Sequence, residues 1–157
     1  MIRRFAALAC ATLLAACAPE DQIDRTQPFG YLTDAPRMVA TADWSNPETI
    51  TVILSNYVFT PHHLVFHRGQ PTRLVLQNTG DTAYSFVAPG FFKSIAVKQI
   101  VGPTGVQEGS WIESVAVAKG QTKELWFIPG QYGSWGFESD VPFQAQMGMT
   151  GVVDVTK

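Results

Sequence analysis

Three histidines fall within one hexapeptide, His62-His63-Leu64-Val65-Phe66-His67, and the 157-residue chain has no others. On a helix, His63 and His67 at i and i+4 would share a face and could chelate one metal ion. Leu64 and Phe66, however, recur at a period of two, which predicts a strand. Four strand residues at about 3.3 Å each hold the two imidazoles roughly 13 Å apart, and ligands of one ion must each lie about 2 Å from it. His62 and His63 are adjacent and point to opposite faces. The cluster therefore predicts an exposed strand face leading into the turn His67-Arg68-Gly69-Gln70-Pro71. Met147 and Met149 carry soft thioethers suited to Cu(I), and with His63 they are the candidate metal ligands of the chain. The two methionines share one strand face if that segment is extended. Their competing use is core packing or loop anchoring, which is favoured because methionine fills irregular gaps. No cofactor is expected, with copper as the alternative. Glu138 and Asp140 alternate in a turn-like region, where paired carboxylates are solvated, and no strained serine elbow accompanies the histidines. No glycine-rich loop opens a helix after a strand, so a nucleotide cradle is unsupported. The expectation is a protein that is not an enzyme.

Cysteine chemistry points elsewhere. Arg3 and Arg4 precede an apolar run, Phe5 to Ala16, with the form of a secretory signal over residues 1–16. The run falls short of the roughly 20 residues a membrane-spanning helix needs. It ends Leu14-Ala15-Ala16-Cys17, which resembles the bacterial lipobox, in which the cysteine becomes the acylated first residue. That resemblance implies lipid attachment at Cys17. Because Ala18 stands where an aspartate would favour inner-membrane retention, it also implies an outer-membrane anchor facing the periplasm. Several acyl chains on one residue give stable anchoring, since each buried methylene contributes about 0.8 kcal/mol. Removing residues 1–16 takes away Cys10 and two arginines, leaving nine basic and thirteen acidic side chains. A mildly acidic chain without a basic run lacks the electrostatic footprint for nucleic acid, and a single cysteine cannot form an internal disulfide.

The elements that would position these groups follow from periodicity. Residues 17–47 read as a lipid-anchored linker, with four prolines and no sustained period, although Phe29, Tyr31 and Trp44 predict that part of it packs on the domain. From 48 to 157 short alternating runs are separated by turn residues. Ile50, Val52 and Leu54 share a face, and a phase slip at Ser55-Asn56 that lets Tyr57 and Phe59 continue it predicts a bulge. Leu64 with Phe66, Leu74 with Leu76, Val115 with Val117, Leu125 with Phe127, Trp135 with Phe137 and Val153 with Val155 repeat the two-residue period. About seven such strands predict an all-β sandwich. Pro89 to Val97, with Phe92, Ile95 and Ala96 as its apolar residues, predicts one short inserted helix.

The ordered series Phe59-Thr60-Pro61, Asn78-Thr79-Gly80, Pro129-Gly130-Gln131-Tyr132 and Gly148-Met149-Thr150-Gly151 resembles the cupredoxin domain of bacterial exported proteins. The resemblance covers about residues 48 to 156 and implies a Greek-key β-sandwich. Type 1 cupredoxins hold copper with two histidines, a cysteine thiolate and usually an axial methionine. The positions that match this set are Tyr84, Ser139 (Gly136 when counted from the other side), Gln144 and Met149. Three of the four ligands are thus replaced. No realignment restores the thiolate, because Cys17 lies in the tether. The resemblance implies a fold without blue copper. It leads to the expectation of a membrane-tethered binding or accessory module with a protein partner at the loops around 84–96 and 133–149. Tyr84, Phe86, Phe91, Phe92, Trp111, Trp126, Tyr132, Trp135, Phe137 and Phe143 are expected to gather near that end, either as packing or as an exposed face.

Overall fold

The computed structural model describes residues 28–109 and 111–157; the signal segment, Cys10 and Cys17 lie outside the described residues. Helix α1 (Ala35–Thr41) comes first, followed by β1 (Glu48–Ser55), β2 (Val58–Thr60), β3 (His63–His67), β4 (Thr72–Asn78) and β5 (Tyr84–Val87). Helix α2 (Pro89–Lys93) leads into β6 (Ile95–Gly102), β7 (Gly105–Glu108), β8 (Ser114–Val117), β9 (Thr122–Pro129), β10 (Gly133–Glu138) and β11 (Thr150–Thr156). Two sheets face each other, one in the order β2-β1-β4-β9-β6-β7 and the other β3-β11-β10-β5-β8. Pairing is antiparallel except for β1 with β4 and β3 with β11.

The two-residue period sets the layers. In β3, Leu64 and Phe66 are buried while His63, Val65 and His67 face out. In β4, Leu74 and Leu76 point inward. Between the sheets lies a cluster rich in phenylalanine. Phe137 sits 4.5 Å from Phe86 and 5.0 Å from Phe59 between ring centroids, and Phe66 and Phe91 each meet Phe127 edge-on. Burying each such ring stabilises the fold by about 1.5–3 kcal/mol.

Helix α2 is shorter than the sequence predicts. Pro89 starts it, and Phe91 and Phe92 are buried on it, but the backbone N–H and hydroxyl of Ser94 both turn back to the Phe91 carbonyl and end it. Ile95 and Ala96 belong to β6: Ile95 enters the main core, and Ala96 faces the opposite way, under α1. Adjacent apolar residues mimic a helix here because this stretch of sheet is covered on both faces. Helix α1 falls within the segment read as linker. At seven residues it is too short to hold by itself. It is held by Ala35, which packs on Ala96 and Ile128 of β6 and β9, with Leu32, Met38, Val39 and Trp44 around it.

The predicted bulge at Ser55-Asn56 is instead a tight hairpin. Ser55 pairs with Val58, and Tyr57 occupies the turn with φ 67° and an exposed ring. Phe59 returns to the core because the chain reverses. A bulge does occur in β6, where Val97 pairs with Phe127 and Gln99 with Trp126, leaving Lys98 as the extra residue.

Candidate functional site

Short hydrogen-bond links draw Tyr84, Ser139, Gln144 and Met149 to one end of the sandwich. Next to Tyr84, the Ser85 N–H and hydroxyl both donate to the Asp140 carboxylate, at 3.0 and 2.7 Å. Next to Asp140, the Ser139 N–H donates to the Met149 carbonyl at 3.2 Å. The Met149 N–H donates to the Gln144 carbonyl at 2.9 Å. Strand β5 thus supplies Tyr84, the end of β10 supplies Ser139, and the turns before β11 supply the other two. The Ser85–Asp140 link was not legible in the sequence: it joins residues 55 positions apart, and two polar residues at that separation carry no local signal.

Three of the four side chains, Tyr84, Ser139 and Met149, are committed to packing or local bonding. Tyr84 is 1% exposed, and its hydroxyl donates to Asn56 Oδ1 at 2.8 Å. Gly80 makes room for that ring: a Cβ there would come within 2.9 Å of Asn56 Oδ1 and closer still to the Tyr84 ring. Ser139 is buried, and its hydroxyl accepts the Val141 N–H. Met149 is fully buried in the main core. Gln144 is half-buried, and its Oε1 is enclosed without a partner among the described residues. A phenol, an alcohol, an amide and a thioether are four neutral groups, and only the thioether matches the type 1 donors. This set does not fit a type 1 copper, whose chemistry rests on a thiolate and two imidazoles. Residues 28–157 contain no cysteine.

The structure does not bring the alternative metal ligands together. Residues 141–148 form consecutive turns rather than an extended strand, so Met147 and Met149 do not share a strand face. Met147 is 66% exposed, whereas Met149 is enclosed. His63 lies on the outer face of β3, with Nε2 2.7 Å from the Asp154 carboxylate on β11. His67 pairs in the same way with Glu48 at 3.2 Å. Among the described residues no three His, Cys, Asp or Glu side chains gather as a metal site would require.

Asp154 also receives a hydrogen bond from the Ser134 side chain, which with the His63 contact holds its carboxyl below the ordinary value of 3.8. A carboxyl depressed in the folded state adds stability above its unfolded pKa, and that contribution is lost as pH falls through the folded value. Urea midpoints of the wild type and Asp154→Asn should therefore differ near neutral pH and converge in acid below the ordinary carboxylate range. A difference that persists there would assign the effect to packing.

The aromatic residues split into two populations. Tyr84, Phe86, Phe91, Phe92 and Phe137 are core residues. Trp126 lies on the outside of β9, 6.3 Å from Trp44, and Tyr132 is exposed beneath Arg68. Trp111 packs against Tyr31 at 5.4 Å. Only Phe143 stands out from the turns around Gln144; it is 76% exposed, with φ 66°. That left-handed backbone is uncommon for a bulky residue.

No protein-family model matches the chain, and no curated protein does. Solved structures do. A multicopper oxidase from Pediococcus acidilactici superposes with a TM-score of 0.60 at 12% identity, over 74% of this chain and 28% of its own. The copper nitrite reductase of Nitrosomonas europaea gives 0.55 at 15% identity, over 75% and 52%. Auracyanin from Roseiflexus castenholzii gives 0.50 at 16% identity, over 72% of this chain and all of the other. This chain spans 31% of the length of a similar multicopper oxidase from Campylobacter jejuni. The two facing sheets and these superpositions define a cupredoxin fold. Within that fold, the positions that the sequence resemblance assigns to copper ligands hold Tyr84, Ser139, Gln144 and Met149.

Proposed function

We propose that this protein is an exported, lipid-anchored accessory module. Its cupredoxin-fold domain is non-catalytic and binds a partner protein through the turns between β10 and β11. The observation that carries this reading is the exposure of Phe143 and Met147 at the end where the ligand-matching positions are filled. Two large apolar side chains there are presented to solvent, while Tyr84, Ser139 and Met149 beside them are buried. Aromatic and methionine side chains of this kind are enriched in protein interfaces. The lipobox-like Cys17 supplies the tether that would hold the module at the envelope, on the periplasmic side of the outer membrane in a diderm host.

Photo-reactive residues placed singly at positions 143, 147 and 65 in the producing cell test the binding face. A discrete adduct is expected from 143 and 147 and not from 65, where Val65 is exposed on the outer face of β3. Equal labelling at all three positions, or none at the first two, would overturn the reading. The tether has its own readout: Cys17→Ser should move the protein from the membrane fraction to the soluble fraction, and unchanged retention would refute acylation.

A further inference from the structure

A cavity of about 520 Å³ opens between α1 and the β6–β7 hairpin, and neither Tyr84 nor Met149 lines it. Its origin is topological. Strand β7 pairs with Gln99 to Gly102 only, so no strand lies beside Ile95 to Lys98 on that side of the sheet. The gap is walled by the Tyr31–Trp111 ring pair, by Val39 of α1 and by Phe92 of α2. The Tyr31 hydroxyl is committed to the Ile112 carbonyl at 2.8 Å, which fixes that ring in place.

Two charged residues complete the lining, Lys98 and Glu108. Lys98 is the bulge residue of β6, and its carbonyl accepts the Gly109 N–H at 2.8 Å instead of joining the ladder. Bulges re-aim side chains in this way and are over-represented beside binding sites. Its ammonium stands 4.6 Å from the centre of the Trp44 ring and 5.6 Å from that of Trp126. No carboxylate pairs with it among the described residues. Concave pockets of about 300–1,000 Å³ that combine apolar walls with placed polar groups are the usual form of small-molecule sites.

We infer that this cavity binds a planar, largely apolar small molecule bearing one anionic group, with its ring against Trp111 and Tyr31 and its acid toward Lys98. The site is independent of the partner-binding face proposed above.

The test uses 15N-labelled full-length protein in mild detergent, observing the four tryptophan indole N–H signals with 2-naphthoate and its neutral analogue 2-naphthamide as probes. Millimolar 2-naphthoate should shift the Trp111 signal saturably and leave that of Trp135, which packs on Phe91, in place. Lys98→Met should weaken naphthoate binding about tenfold, as expected for loss of a charge-assisted contact, and leave naphthamide binding unchanged. Val39→Trp should fill the cavity and abolish both. Absence of a saturable Trp111 shift overturns the inference, and so does equal affinity for the two probes in the wild type. If Val39→Trp fails to fold, Lys98→Met carries the same decision.

Discussion

Asn78→Ala is expected to lower the stability of the domain by about 3 kcal/mol, because it removes three hydrogen bonds at once, two of them buried, and strands their partners. Asn78 is 1% exposed at the end of β4. Its Nδ2 donates at 2.8 Å to both the Thr82 and the Val117 carbonyls, and its Oδ1 accepts the Gly80 N–H at 2.9 Å. Val117 belongs to β8, in the opposite sheet, so this one amide joins the two layers and shapes the loop that delivers Tyr84. Asn78→Asp keeps the acceptor but sets a buried carboxylate oxygen against both carbonyls, and near neutral pH should be destabilised at least as much as the alanine variant. Urea midpoints at unchanged slope measure both variants. A loss under about 1 kcal/mol for alanine would mean that the amide does not bear on stability as the geometry requires.

Phe137→Ala should cost about 4 kcal/mol, at the upper end for a large-to-small change in a packed core. The ring stacks on Phe86, meets Phe59 edge-on and covers Gly151, its cross-strand partner on β11. Gly151 has no room for a side chain, since a Cβ there would collide with the Phe137 ring and with the His62 carbonyl. Relaxation into the space left by Phe137 is therefore limited by backbone on one side and by rings on the other. Phe137→Leu preserves much of the volume and should cost roughly 1.5 kcal/mol or less. Similar losses for the two variants, measured by denaturant unfolding, would contradict a cavity origin.

Much of the sandwich was legible in the sequence because the strands with one wet face announce themselves. Leu64 and Phe66, or Leu74 and Leu76, recur at a period of two between polar flanking residues. Strand β6 was not legible. Its first residues are apolar on both sides, since α1 covers the outer face, and the helix-forming start at Pro89 extended the misreading through Ile95 and Ala96. Strand β7 was missed for the opposite reason: Gly105 to Glu108 is exposed throughout and carries no apolar period. The hairpin at Asn56-Tyr57 hid behind a bulky residue in a backbone conformation that sequence rules reserve for glycine or asparagine.

At the candidate site, the cupredoxin resemblance named the four matching positions, and the absence of cysteine from residues 28–157 was legible directly. Their environments required coordinates. Met147 and Met149 are two residues apart and chemically identical, yet one is solvent-facing and the other fully buried, because the turns between them break the alternation on which a shared face depends. Asn56, the acceptor for Tyr84, comes from a hairpin 28 residues away and offers no signal in sequence.

The parallel pairing of β3 with β11 bears on the order of assembly. His63 and Asp154, 91 positions apart, lie across that pair. Loop-closure entropy must be met before such contacts contribute, so topologies of this kind fold slowly. Until Thr150–Thr156 has been synthesised, β3 lacks its strand partner, and the ring of Phe137 lacks the Gly151 backbone against which it closes. Phe59, Phe66, Phe86, Phe91 and Phe92 are therefore all synthesised before the strand that closes the second sheet against the core.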